Sequence, residues 1–124
     1  MRPVPHCLHT LAPSHYCERA RWALDLAGVE YTEVRHAPGL HVARVRRLGV
    51  PGTSLPVLER PDGPAVQGSD AILDWTGLDG GDPALEERLA TRTAPLVRRC
   101  LYAGLLNDRG SGVVDALLCG VDRR

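Results

Sequence analysis

The sequence has no lysine and no phenylalanine, one methionine, and only 4% aromatic residues. Its fifteen basic side chains are all arginine, and fifteen acidic ones balance them to a net charge of zero. The balance is also local. Residues 1–77 carry eight of each sign and residues 78–124 seven of each. With no basic face, polyanion or anionic-membrane binding is excluded as a first expectation, so neither nucleic acid nor membrane is an expected partner. The arginine-only usage, with abundant Ala, Gly and Pro, reads as coding bias and carries no function. No run approaches the roughly 18 apolar residues of a membrane span. The opening segment, Met1 to His6, lacks the apolar stretch of a secretory leader, which places the chain in the cytoplasm as an expectation. The four cysteines (Cys7, Cys17, Cys100, Cys119) form no CxxC and no close pair. In a reducing compartment they are expected as free thiols. No tetrahedral ligand set is visible along the chain, and His6 and His9 would point to opposite faces of a strand, so no metal is expected.

What is present is a globular composition, 44% hydrophobic and 24% charged over 124 residues, enough for one domain or for one domain and part of another. Residues 6–11 alternate weakly and stop at Ala12-Pro13, which reads as a strand. Ser14 is a favoured N-cap, and Cys17, Ala20, Leu24 and Ala27 then repeat at helical spacing up to Gly28. Val29 to Arg35 reads as a second strand, and Leu40 to Leu48 as a short arginine-studded helix. Leu55 to Glu59 is a strand opening on a proline, followed by a turn at 60–64 and a brief return strand at 65–67. Ser69 is a second N-cap candidate, ahead of a helix over 70–75. Residues 76–83 read as a linker. Residues 84–106 form a long helical pattern kinked at Pro95, 107–112 a polar break, and 113–120 a short apolar run.

The order β-α-β-α, then β-β-α, then helices, predicts an α/β fold: a thioredoxin-like four-stranded mixed sheet with flanking helices, followed by a partial all-α segment. Three stretches carry a resemblance to a known family. Ser14-His15-Tyr16-Cys17-Glu18-Arg19-Ala20-Arg21-Trp22-Ala23-Leu24 with Gly28-Val29-Glu30-Tyr31 is similar to the first strand-to-helix region of glutathione S-transferases. Val50-Pro51-Gly52-Thr53-Ser54-Leu55-Pro56-Val57-Leu58 resembles their loop before the cis-proline strand. Gly68-Ser69-Asp70-Ala71-Ile72-Leu73 resembles their Glu-Ser-x-Ala-Ile segment. The resemblance covers residues 6–77 and thins after 83. It implies a thioredoxin-like N-terminal domain over 1–78 and a truncated helical C-terminal segment over 83–124.

The resemblance implies glutathione as co-substrate, with no metal. Ser14 stands where relatives carry a catalytic Ser or Cys. At a helix N-terminus its hydroxyl can donate to the glutathione thiolate, the nucleophilic form, and hold it ionised. A bare N-cap explains Ser14 from the residues alone. Cys17 follows three residues later, but with Ser in the first position the dithiol cycle is disfavoured and Cys17 is expected to be a buried small hydrophobe. Pro56 is implied to follow a cis peptide that presents the Leu55 backbone to the cysteinyl unit of glutathione. Ser69 corresponds to the serine that binds the γ-glutamyl carboxylate, and Asp70 to a weaker partner of its ammonium. Gly68 stands where the family has Glu, which removes a partner for that ammonium, and Gln67 lies one residue out of place. Arg44, Arg46 and Arg47 are read either as a solvated face or as partners of the glycyl carboxylate. Arg19 and Arg21 are read either as solvated helix charges, the commoner case, or as lining the site entrance, and Trp22 and Trp75 as packing residues.

Three functions follow, the weakest being glutaredoxin-like thiol exchange, which needs a reactive thiol at the helix start where Ser14 stands. The first is a glutathione S-transferase-like protein that binds glutathione and stabilises its thiolate for attack on an electrophile. The alternative is a catalytically weak thioredoxin-like binding module whose helical stretch 84–106 pairs with another chain, a homodimer being one form.

Overall fold

The computed structural model describes residues 5–78, 81–107, 112, 115 and 119–121. Strand β1 (His6–Leu11), helix α1 (His15–Leu26), strand β2 (Tyr31–His36) and helix α2 (His41–Arg47) come first. Strands β3 (Val57–Arg60) and β4 (Gly63–Gln67) follow as a hairpin, and α3 (Ser69–Thr76) closes the unit. The strands form one sheet in the order β2-β1-β3-β4. β1 runs parallel to β2 and antiparallel to β3, and β3 and β4 are antiparallel. The mixed thioredoxin-like sheet expected from the element order is therefore present.

Each face of the sheet carries its own apolar cluster, because alternate residues of a strand point to opposite sides. On one side Leu8 and Leu58 meet Ala20 and Leu24 of α1 and Ile72 of α3, all fully buried. On the other, Val57 and Leu55 meet Val45 of α2 and Cys17 of α1. Complete burial of such an aliphatic side chain contributes roughly 1.5–3 kcal/mol, so these two clusters are the principal source of stability.

Local chemistry sets the helix ends. α1 stops where Gly28 adopts a positive φ of 67°, and the Gly28 and Val29 amides bond back to the Asp25 and Leu24 carbonyls. α3 differs from expectation. Its N-cap is Gly68, at φ 95°, a conformation that disfavours any side chain, and Ser69 is the first helical residue instead of the cap.

Helix α4 (Pro83–Arg88) is capped by Asp82, which accepts from the amides of Ala84 and Leu85 at 2.9 and 3.3 Å, with Pro83 in the first helical position. The expected kink near Pro95 takes the form of a π turn at Leu89–Thr93, leading into α5 (Ala94–Asn107). Proline has no N–H to donate and crowds the carbonyl four residues earlier, and a wider turn just before it relieves both demands. The polar break at 107–112 and the apolar run at 113–120 lie almost wholly outside the described residues. Among the described residues, no helix is long and apolar enough to cross a membrane.

Candidate functional site

The residues singled out from the sequence gather at one end of the sheet, where β1 gives way to α1 and the segment before β3 approaches β4. Ser14 is the N-cap of α1, its backbone extended, and its Oγ accepts from the Cys17 amide at 3.3 Å. A hydroxyl has one proton and two lone pairs, so this bond leaves the Ser14 proton able to donate elsewhere. Cys17 is fully buried, and its Sγ accepts from the Leu11 amide at 3.4 Å. It is therefore a packing residue, as its place on the apolar stripe suggested.

The Leu55–Pro56 peptide is cis, as the resemblance implied. Leu55 and Pro56 are both buried, and the Pro56 carbonyl accepts from the Gly68 amide at 2.9 Å. That bond ties the segment before β3 to the start of α3 and brings Ser69 close to the proline. Ser69 is 5% exposed. Asp70 next to it is open to solvent and paired with Arg19 of α1. Arg19 also pairs with Glu86 of α4. Expected to be a solvated charge, Arg19 instead joins three helices.

Gln67 has a role that sequence reasoning missed. Its Nε2 donates to the Ser54 carbonyl at 2.9 Å and its Oε1 accepts from the Gly52 amide at 3.0 Å. The side chain thus clamps the loop that leads into the cis-proline. The available signal was a polar residue ending a short strand directly before a glycine. Tyr16 is a second omission. Its ring lies tilted against that of His15, with centroids 3.9 Å apart, and its hydroxyl accepts from Arg98 of α5 at 3.1 Å. The helical segment therefore reaches to within two residues of Ser14.

Other expectations divide. Arg21 is not a solvated charge. Its side chain is mostly buried and grips Glu33 of β2, which also accepts from Thr10 Oγ1 at 2.6 Å. Burial pushes the Glu33 carboxyl up, but the hydrogen bonds from Arg21, Thr10 and Arg35 outweigh it and leave the group below the usual carboxylate value. Arg44 turns toward Glu59, at 3.6 Å. Trp75 packs on the core and lies under Arg60. Trp22, expected as a packing residue, is 64% exposed, with its indole N–H donating to Glu18 at 3.0 Å. It lines an open cleft of about 440 Å³ between α1 and α4, together with Leu26, Leu73, Leu85 and Leu89.

Residues 8–83 match the model of the glutathione S-transferase N-terminal domain. The chain belongs to the glutathione S-transferase family. Among solved structures, a Tau-class glutathione S-transferase from mango is 19% identical, with a TM-score of 0.62 over 92% of this chain and 56% of the other. A glutathione S-transferase from Xanthobacter autotrophicus is 23% identical, with a TM-score of 0.60 over 82% and 57%. A glutathione S-transferase I solved with lactoylglutathione bound is 17% identical, with a TM-score of 0.58 over 95% and 60%. At these identities the likeness is one of fold. The chain spans little more than half the length of these relatives. No curated protein matches it.

Proposed function

We propose that this glutathione S-transferase family member binds glutathione and stabilises its thiolate for attack on an electrophile. One placement carries this: Ser14, at the start of a twelve-residue helix, accepts from its own cap amide and so keeps its proton for an incoming anion. In this reading the glutathione thiol gives its proton to solvent, and the Ser14 O–H donates to the resulting thiolate. The sulfur then forms a bond to the electrophilic carbon as that carbon's leaving group, or a π pair, takes the displaced electrons. Near neutral pH a free thiol is mostly protonated, so holding the anion raises the nucleophilic fraction.

The remaining roles follow the family resemblance. The Leu55 backbone beside Pro56 pairs with the cysteinyl unit. Ser69, nearly buried at the first position of α3, takes the γ-glutamyl carboxylate, and Asp70 takes the ammonium. The Arg19–Asp70 ion pair must share its carboxylate for that last contact. Residues 1–78 form the glutathione-binding unit and 83–124 the helical segment, on the side where the second substrate rests. A cytoplasmic location, with its millimolar thiol pool, suits this chemistry.

The test is a thermal melt with and without millimolar reduced glutathione. A ligand of the native state at a hundredfold excess over Kd stabilises by about 2.7 kcal/mol. An upward shift that shrinks in Ser69→Ala supports the reading, and an unmoved melt overturns it.

A second reading, a binding module without turnover, is favoured by the apolar side chains of α5. Leu96, Val97, Leu101 and Tyr102 are each at least 50% exposed. A homodimer that covers them would show as concentration-dependent sedimentation with no glutathione-linked stabilisation.

A further inference from the structure

A second constellation lies on the α2 side of the sheet, at the end of β1 away from Ser14. Cys7 and His9 stand two apart on β1 and so share a face. Glu59 on β3 is the direct cross-strand partner of Cys7, and Val57 that of His9. One ligating atom from each of Cys7, His9 and Glu59 lies within 4.8 Å of the other two. His9 is fully buried, while Cys7 and Glu59 are partly exposed, so the cluster is closed behind and open in front.

We propose that Cys7, His9 and Glu59 form a three-ligand site for a divalent, thiophilic metal ion of the zinc class, with the fourth position facing solvent. Thiolate, imidazole and carboxylate are the donor types zinc takes, and three protein ligands with one open position is an arrangement it accepts. Zinc bonds of 2.0–2.3 Å in tetrahedral geometry put neighbouring ligand atoms about 3.5 Å apart. His9 Nε2 and Glu59 Oε2 are already 3.1 Å apart. The Cys7 sulfur, within 4.8 Å of both, completes the set by a side-chain rotation.

The surroundings supply the orientation a metal-bound imidazole needs. His9 Nδ1 is 2.9 Å from His36 Nε2, and the two rings stack with centroids 5.2 Å apart. Without metal, the Nε2 hydrogen of His9 donates to Glu59 and His36 donates to Nδ1. With metal on Nε2, that nitrogen releases its hydrogen to solvent, His36 passes its Nε2 hydrogen to His9 Nδ1 and takes another from solvent at its own Nδ1, so both rings change tautomer and the bond between them reverses. Arg44 Nη2, 3.6 Å from Glu59 Oε2 and half exposed, is the competing cation, and it can swing to solvent when a metal arrives.

Cobalt(II) reports on this site, because a thiolate ligand gives it a near-ultraviolet charge-transfer band. The full chain carrying Cys100→Ser and Cys119→Ser, which removes the exposed thiols, is titrated without glutathione. The expected result is one equivalent bound, with a thiolate band that zinc displaces. Adding Cys7→Ser should abolish the band, Glu59→Gln should weaken binding about tenfold or more, and Arg44→Ala should tighten it. Absence of the band in the parent, its persistence in Cys7→Ser, or unchanged affinity in Glu59→Gln would each overturn the site. Glu59 is partly exposed, so its variant remains informative if Cys7→Ser folds poorly. Glutathione-linked stabilisation in Cys7→Ser should match the parent, which keeps this test separate from that of the thiolate site.

Discussion

The side-chain amide of Gln67 donates to the Ser54 carbonyl at 2.9 Å, fastening the end of β4 to the loop that enters the cis-proline. With the bond to the Gly52 amide it satisfies two backbone groups of a segment that has no regular structure. Gln67→Leu keeps the bulk and removes both bonds. At about 1 kcal/mol each, the expected loss is about 2 kcal/mol, read as a lower urea midpoint with an unchanged slope. Glutathione-linked stabilisation should fall as well, because the loop positions Leu55.

Ser14 has a structural and a proposed chemical duty, and the two separate experimentally. Ser14→Ala loses the cap and should destabilise by about 1 kcal/mol, whereas Ser14→Asp, another good cap, should retain most of that stability. If the hydroxyl holds a thiolate, both variants should lose turnover, since neither can donate a proton to an anion there at neutral pH. Initial rates alongside melting curves distinguish the two effects.

Arg19 is the polar tie between α1, α3 and α4. Its partners are largely exposed, so the ion pairs contribute at most about 1 kcal/mol to global stability. Helix α4 has no buried residue. Arg19→Met should therefore leave the global melt nearly unchanged while speeding amide exchange in residues 84–88. Unchanged exchange would mean that Leu85 and Leu89, against the cleft, hold α4 without help.

Two groups give stability a pH dependence. Burial pulls the His9 pKa below its ordinary 6.5, against a partly compensating hydrogen bond and charge from Glu59. The unfolded chain then binds the proton more readily. The His9 contribution is full above pH 6.5 and is lost as pH falls through its lowered native value. Glu33, also lowered, contributes fully above its ordinary 4.5 and loses that contribution as pH falls further. Urea midpoints should therefore decline in two stages on acidification, the first below pH 6.5. In Glu33→Gln the second stage should shrink while the first persists.

Periodicity and punctuation made most of the sheet and its helices legible. The Ala12-Pro13 break, Ser14 and the stripe of Cys17, Ala20 and Leu24 define the β1–α1 passage without reference to tertiary structure. The cap of α3 was harder to place. Ser69 is the better capping side chain, but the backbone turns at Gly68 with a positive φ, and that choice depends on where β4 ends. Trp22 was misassigned because the α1 stripe does not show that α4 leaves this flank open. The Gln67 clamp and the approach of Glu59 to Cys7 were hidden for a shared reason. Each depends on pairing between segments distant in the chain, and strand register is not written in local composition.

The sheet order carries one more consequence, for self-association. Among the described residues β2 and β4 are the outer strands, each with one side unpaired. β4 is five residues long, and Pro64 removes one of its amide donors. β2 carries Glu33 and Arg35, charged side chains whose desolvation an added strand would demand. Both margins are poor templates for an added strand, so copies of this chain that meet in solution are expected to do so through helices, without growth into cross-β fibrils.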